Sequence, residues 1–256
     1  WERMLRPIVG RVMVIDDLAD RPHACELLLD QNLCPRMDVR YDDLIPAHCL
    51  RLFGPRYALV RDEFRQERAQ LEERIGLVHK ILLSFGGVDH ANLTARALTA
   101  LRSLDDSDLT VTVVLGATNQ HREEVEAMCQ GWRQAELHIQ SNQMAHLMAT
   151  SDLAIGAGGS TTWERAYLGL PSLVVVVAEN QREITETAAQ CGICWNLGWH
   201  EKVSGEEIAA KVREACANPQ SMRKMSRQAL AISARDYQTG AGEVANQLVE
   251  STLVYA

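Results

Sequence analysis

The chain has 256 residues, 46% of them hydrophobic, and a formal net charge of −8. That length allows one or two domains with real cores. The acidic balance argues against nucleic acid or an anionic membrane surface as the main partner, and no apolar run approaches the roughly 18 residues of a membrane span. The seven cysteines, odd in number and scattered through apolar context, read as thiols of a reducing cytoplasm rather than as a disulfide framework. Cys191-Gly-Ile-Cys194 is formally C-x-x-C, but without a second pair it reads as buried thiols and no metal is expected there.

The chain opens W-E-R-M-L-R-P-I-V-G, helix-like and without a signal-peptide pattern, and is expected to begin partway through its protein. V-M-V-I, 12–15, is the one clear strand in residues 1–54, too little for a sheet of its own. Asp16-Asp17 after it could suggest a receiver-type phosphoacceptor, but the later aspartate and lysine of such a site are missing. Residues 61–74 form a charged, helical connector. Strands are then expected over 81–85, 110–115, 137–140, 153–155 and 173–177, and helices over 93–104, 122–130, 144–150 and 162–168. Such alternation means parallel strands joined by crossover helices. The expected division is 1–74 as the remainder of an N-terminal Rossmann-like domain and hinge, 75–221 as a complete doubly wound domain, and 222–256 as helices packing back toward the first.

Two glycine-rich turns fall at strand carboxyl ends, where open α/β sheets bind ligands. In S-F-G-G-V-D-H-A-N-L-T, 84–94, Gly86 and Gly87 let a ligand approach the backbone, while Asp89 or Asn92 can cap the next helix. No G-K-[ST] or G-x-G-x-x-G follows, so an ATP-hydrolysing P-loop is not expected. The second turn opens G-A-G-G-S-T-T-W-E-R-A-Y-L-G-L-P, 156–171. From its residues alone it can be a phosphate cradle, a tight strand-to-helix turn or a packing loop without a ligand. Glu164 either serves the helix start, as a capping-box or dipole residue, or accepts the ribose hydroxyls of a nucleotide. The next strand delivers A-E-N-Q, with Asn180 and Gln181 at the same sheet edge. No G-x-S-x-G elbow is present, and His23, His48, His90 and His146 read as surface or capping residues.

The order and spacing of S-F-G-G-V-D, D-L-A-I-G-A-G-G-S-T-T-W-E-R-A-Y-L-G-L-P and A-E-N-Q resemble the sugar-nucleotide hydrolases of pseudaminic acid biosynthesis. These release UDP from UDP-2,4-diacetamido-2,4,6-trideoxy-β-L-altropyranose and are relatives of GT-B glycosyltransferases such as the lipid II N-acetylglucosaminyltransferase. Upstream, V-I-D-D-L-A-D-R-P-H-A-C-E-L-L-L-D-Q-N and L-F-G-P-R-Y-A-L-V-R-D-E-F look like the end of that family's first domain and its hinge. The resemblance implies a GT-B-like α/β fold, a UDP-sugar substrate, no cofactor or metal, and a cytoplasmic monomer. It implies that Gly86, Gly87, Ser160 and Thr161 hold the pyrophosphate, with Gly158 and Gly159 in the same loop. Glu164 would take the ribose, the 140–144 turn with Met144 the uracil, and Asn180 and Gln181 the sugar side. The family's reaction is attack of water at the anomeric carbon with inversion, its general base the histidine of a G-x-G-H-x-x-R motif. That motif is absent, so no catalytic residue is assigned and the chain is expected to be a hydrolase by lineage but a weak or inactive enzyme as a fragment. A glycosyltransferase using a UDP-sugar donor and a nucleotide-binding module without catalysis are the alternatives.

Overall fold

The computed structural model describes residues 1–233 and 240–253. In chain order the elements begin α1 (Glu2–Leu5), β1 (Met13–Ile15), β2 (Leu27–Asp30), β3 (Leu50–Phe53), a 3-10 turn at Pro55–Tyr57 and α2 (Asp62–Ala69). They continue β4 (Lys80–Ser84), α3 (Leu93–Arg102), β5 (Thr110–Leu115), α4 (Arg122–Gln130), β6 (Ala135–Ile139), α5 (Met144–Thr150) and β7 (Leu153–Ala157). The last are α6 (Thr161–Tyr167), β8 (Ser172–Val176), α7 (Gln181–Gln190), β9 (Trp195–Trp199), α8 (Gly205–Ala217), α9 (Pro219–Ile232) and α10 (Ala241–Leu253). The helices expected over 222–256 correspond to α9 and α10, and residues 234–239 and 254–256 of that stretch lie outside the described residues.

The chain divides into two compact units, Trp1–Val60 with Ile232–Ala256, and Arg61–Ala231. The first holds a sheet that the sequence pattern did not announce: β1, β2 and β3 pair in parallel, with Leu27 opposite both Met13 and Leu50. Residues 1–54 therefore do form a sheet. Its second strand reads L-L-L-D and is buried throughout, so it lacks the alternation that marks a half-exposed strand. Val244 of α10 joins Leu27, Leu29 and Leu52 in one apolar cluster of this unit.

The second unit is a six-stranded parallel sheet in the order β6-β5-β4-β7-β8-β9. The sixth strand, β9, escapes sequence reading because W-N-L-G-W breaks its apolar run with Asn196 and with Gly198 at φ +99°. It lies at the sheet edge and pairs with β8 through an irregularity between Val174 and Val175. Right-handed crossovers put α3 and α4 on one face and α5, α6 and α7 on the other; α8 packs on α3. The core is built from Ile81, Leu83, Val111, Val113, Leu153 and Ile155 of the central strands, with Leu98 and Ile208 above them.

The unit boundary falls at Val60/Arg61 rather than after residue 74. The 61–74 connector is tied into the second unit by its arginines: Arg68 donates to the Tyr167 carbonyl, and Arg74 to the carbonyls of Ser151, Met148 and Ala149. Helix α9, up to Ala231, also belongs there, with Met222 and Met225 in the core and Arg223 and Arg227 on Glu73.

Candidate functional site

From β4 the chain crosses toward β5, and from its neighbour β7 it crosses the other way toward β8. Such a divergence leaves a crevice at the strand carboxyl ends. Both glycine-rich turns open into it, since Ser84 at the end of β4 lies opposite Gly156 near the end of β7. The approach is close: a Cβ at Gly156 would sit 2.3 Å from the Ser84 carbonyl oxygen.

Gly86, Gly87, Gly158, Gly159, Ser160 and Thr161 are thereby gathered around one crevice. Gly159 has φ +93°, which turns the chain from β7 into α6. Gly158 donates to the Val175 carbonyl, whereas the N–H groups of Gly159, Ser160 and Thr161 find no acceptor among the described residues. Three adjacent donors without acceptors form a concavity suited to an anion. Ser160 precedes α6 but its side chain makes no capping bond, so the capping-box reading of this turn is not realised.

Glu164 lies one turn into α6 with its side chain 19% exposed. Its carboxylate accepts no hydrogen bond from the described residues; the nearest cation is Arg61, with Nη2 3.9 Å from Oε1, and that guanidinium is bound more closely to Glu63 at 2.7 Å. Burial raises the Glu164 pKa above the ordinary carboxylate range, Arg61 and Arg165 pull it back, and Glu63 pushes it up again. A half-desolvated carboxylate without a donor is poised to accept hydroxyls.

What lies under the loop is invisible in the sequence. Arg165 is 3% exposed and donates through Nη2 to the Ala157 carbonyl at 2.9 Å and to Thr162 Oγ1 at 3.2 Å. Burial pulls its pKa down to about 10. It pins the start of α6 to the end of β7 and sets a positive charge beneath the free N–H groups. The Thr185 hydroxyl is buried without a partner, 2.8 Å from where a Gly158 Cβ would stand. Thr185 lies in no motif, and Arg165, although within the 156–171 stretch, was not singled out there; only the three-dimensional packing of α6 and α7 against the loop marks them.

The remaining candidates are placed differently. Asp89 is a cap: its carboxylate accepts from the Leu93 and Thr94 N–H groups, each at 2.9 Å, and from Thr94 Oγ1 at 2.7 Å. Gln181 crosses between the β7 and β8 loops, its Oε1 accepting from the Val177 N–H at 3.1 Å while its side chain lies against Gly158 and Gly159. Asn180 is exposed at the start of α7. Met144 begins α5 half-buried. The turn before it joins α2 in lining a polar recess of about 400 Å³, with Asn142 and Gln143 facing Glu63, Gln66 and Glu67.

This parallel sheet with its switch-point crevice, and the smaller parallel sheet of the first unit, define a GT-B-like α/β protein. The chain overlays MurG of Acinetobacter baumannii at a TM-score of 0.64, with 16% identity over 98% of this chain and 76% of that one. Anabaena Alr3699/HepE, solved in complex with UDP and glucose, is similar at 0.55, with 14% identity over 91% of this chain and 64% of that one. The chain belongs to the family described as glycosyltransferase family 28 C-terminal domain, which matches residues 81–240. Among curated proteins it is 31% identical over 156 residues to the spore coat polysaccharide biosynthesis protein SpsG of Bacillus subtilis, covering 60% of this chain and 46% of that protein. It is 23% identical over 191 residues to the UDP-2,4-diacetamido-2,4,6-trideoxy-beta-L-altropyranose hydrolase of Campylobacter jejuni, covering 75% of this chain and 67% of that protein. The chain thus matches about half the length of its spore coat relative.

Proposed function

We propose that this chain binds the UDP moiety of a nucleotide sugar in the crevice of its second unit and serves an enzyme that releases UDP from UDP-2,4-diacetamido-2,4,6-trideoxy-β-L-altropyranose. The observation that carries the nucleotide part is the half-buried Glu164 carboxylate, without a hydrogen-bond donor among the described residues, on the helix that follows three unpaired N–H groups. A diphosphate takes the N–H groups of the 159–161 loop, with Gly86 and Gly87 giving room for its approach. The buried Arg165 charge supplies potential from below. The two ribose hydroxyls donate to Glu164, and the base extends toward the polar recess between α2 and the 140–144 turn. The hydrolase reading rests on the similarity to the Campylobacter enzyme and on the resemblance of the 84–89, 152–171 and 178–181 loops to that family.

Transfer of the sugar to an acceptor is the second reading, favoured by membership of a glycosyltransferase family. Following UDP release from the altropyranose nucleotide, with and without candidate acceptors, separates the two. Hydrolysis needs no acceptor; release that starts only when an acceptor is added supports transfer. The 256 residues contain no G-x-G-H-x-x-R motif to supply a base, so the expected result for this chain is binding without UDP release above the spontaneous rate.

A further inference from the structure

Two of the seven cysteines, 24 positions apart, meet in the core of the first unit: the Cys25 and Cys49 sulfurs lie 3.6 Å from each other. Each stands just ahead of a strand, Cys25 before β2 and Cys49 before β3. The Glu26 carbonyl accepts from the Leu50 N–H at 2.9 Å, so the residues next to the two cysteines are fastened together. Adjacent strands run about 4.8 Å apart, within the Cα separation of about 4.4–6.8 Å that a disulfide spans. The sulfurs have about 1.5 Å to close before they reach bonding distance, which rotation of two short side chains outside the strand ladder can supply. In the formal C-x-x-C motif, by contrast, the Cys194 sulfur turns to the Thr185 carbonyl at 4.0 Å.

The two thiols are not equivalent. Cys25 is 0% exposed and Cys49 6%, so Cys49 is the side of the pair that solvent reaches. The hydrogen bond with Cys25 holds the Cys49 thiol below its usual range; burial opposes this, and the Arg51 guanidinium adds to the pull. The same bond and burial push Cys25 up. A proton shared in this way makes Cys49 the better nucleophile and keeps Cys25 protonated behind it. A thiol that ionises readily beside a cation, with a second thiol in contact, is the arrangement that oxidation converts to a disulfide rather than to higher acids. Its burial admits a small oxidant and excludes a bulky one.

We infer that Cys25 and Cys49 form a reversible dithiol/disulfide site, oxidised by a small hydroperoxide and reset by a thiol. The Cys49 thiolate attacks one peroxide oxygen; the O–O bond breaks, the sulfur becomes a sulfenic acid and hydroxide leaves. The Cys25 sulfur then attacks that of Cys49, the S–O bond breaks and a second hydroxide leaves as the S–S bond forms. The two thiol protons neutralise the hydroxides, so two thiols and one hydrogen peroxide give one disulfide and two waters. Each sulfur loses one electron and the peroxide gains two. Two equivalents of a small thiol reverse the step by exchange. Because the bond closes a 24-residue separation, the oxidised chain resists unfolding more than the reduced one. None of this depends on the UDP reading.

The test exposes the folded chain to hydrogen peroxide, alkylates the remaining thiols in denaturant and maps the digest by mass spectrometry, beside Cys25→Ser and Cys49→Ser and beside parent oxidised only after unfolding. The expected result is a cross-linked pair of peptides carrying Cys25 and Cys49, lighter by two hydrogens than their sum, that separates when dithiothreitol is added. The oxidised parent melts higher than the reduced one, and the serine variants show neither the cross-link nor the rise. Thermal melts identify a variant that fails to fold, in which case the digest of the parent decides alone. Cys25 and Cys49 both alkylated after peroxide, either one linked to a different cysteine instead, or a bond between them that forms only in the unfolded chain overturns the site.

Discussion

Glu164 and Gly87 separate function from folding at single positions. A carboxylate whose folded pKa lies above its unfolded value opposes folding while ionised. That cost is in place above the raised pKa and is relieved as pH falls through it toward the ordinary glutamate range. Glu164→Gln should therefore melt higher than the parent at neutral pH, with the difference closing on acidification, and should bind UDP about tenfold more weakly through loss of a charged hydrogen bond. Because ribose donors favour the ionised form, UDP affinity of the parent falls as pH drops through that raised pKa, and Glu164→Gln lacks this limb. A Cβ at Gly87 meets nothing within 4 Å, and its φ is not left-handed. Gly87→Ala is then expected to leave the melting temperature unchanged and to weaken UDP binding, because the added methyl occupies space that only a ligand uses. Gly86, Gly87, Ser160 and Glu164 were legible as site candidates from the glycine-rich wording of their loops alone. Arg165 and Thr185 were not, because a buried partner beneath a loop leaves no spacing signal in a chain.

Among the elements, α4 and α5 were readable to the residue, since each shows its apolar positions at helical spacing between clear breaks. The strands β2, β3 and β9 were not. The first two are only four residues long, and β9 carries a glycine and an asparagine that local propensity assigns to turns. Helix α3 gives the sharpest test of a structural role inside the ligand loop. Asp89→Ala removes three hydrogen bonds to its first turn and should cost about 1–2 kcal/mol, read from chemical denaturation. UDP affinity of the folded variant should stay within about twofold, well under the 1.4 kcal/mol of a tenfold change; a larger loss would make Asp89 a ligand residue rather than a cap.

At the scale of the whole molecule, the central proposal is that the second unit cradles a uridine diphosphate group. The doubly wound sheet was legible because alternating strands and helices, with glycine turns at strand ends, specify it, whereas the GT-B-like class was implied by the resemblance of the loop sequences and not by the alternation. Sugar identity was not legible, because strand order and glycine turns specify the nucleotide crevice and leave the side chains that would face a sugar unspecified. Ligand that binds only the native state raises stability, by about 2.7 kcal/mol at a hundredfold excess over Kd. Saturating UDP should accordingly raise the melting temperature of the parent, and raise it less in Glu164→Gln. The most direct measurement is a calorimetric titration of the chain with UDP beside the same titration of Glu164→Gln. The uridine diphosphate cradle predicts saturable one-site binding that weakens about tenfold in the variant. A well-folded chain that shows no binding heat, or a variant that binds as tightly as the parent, would contradict it.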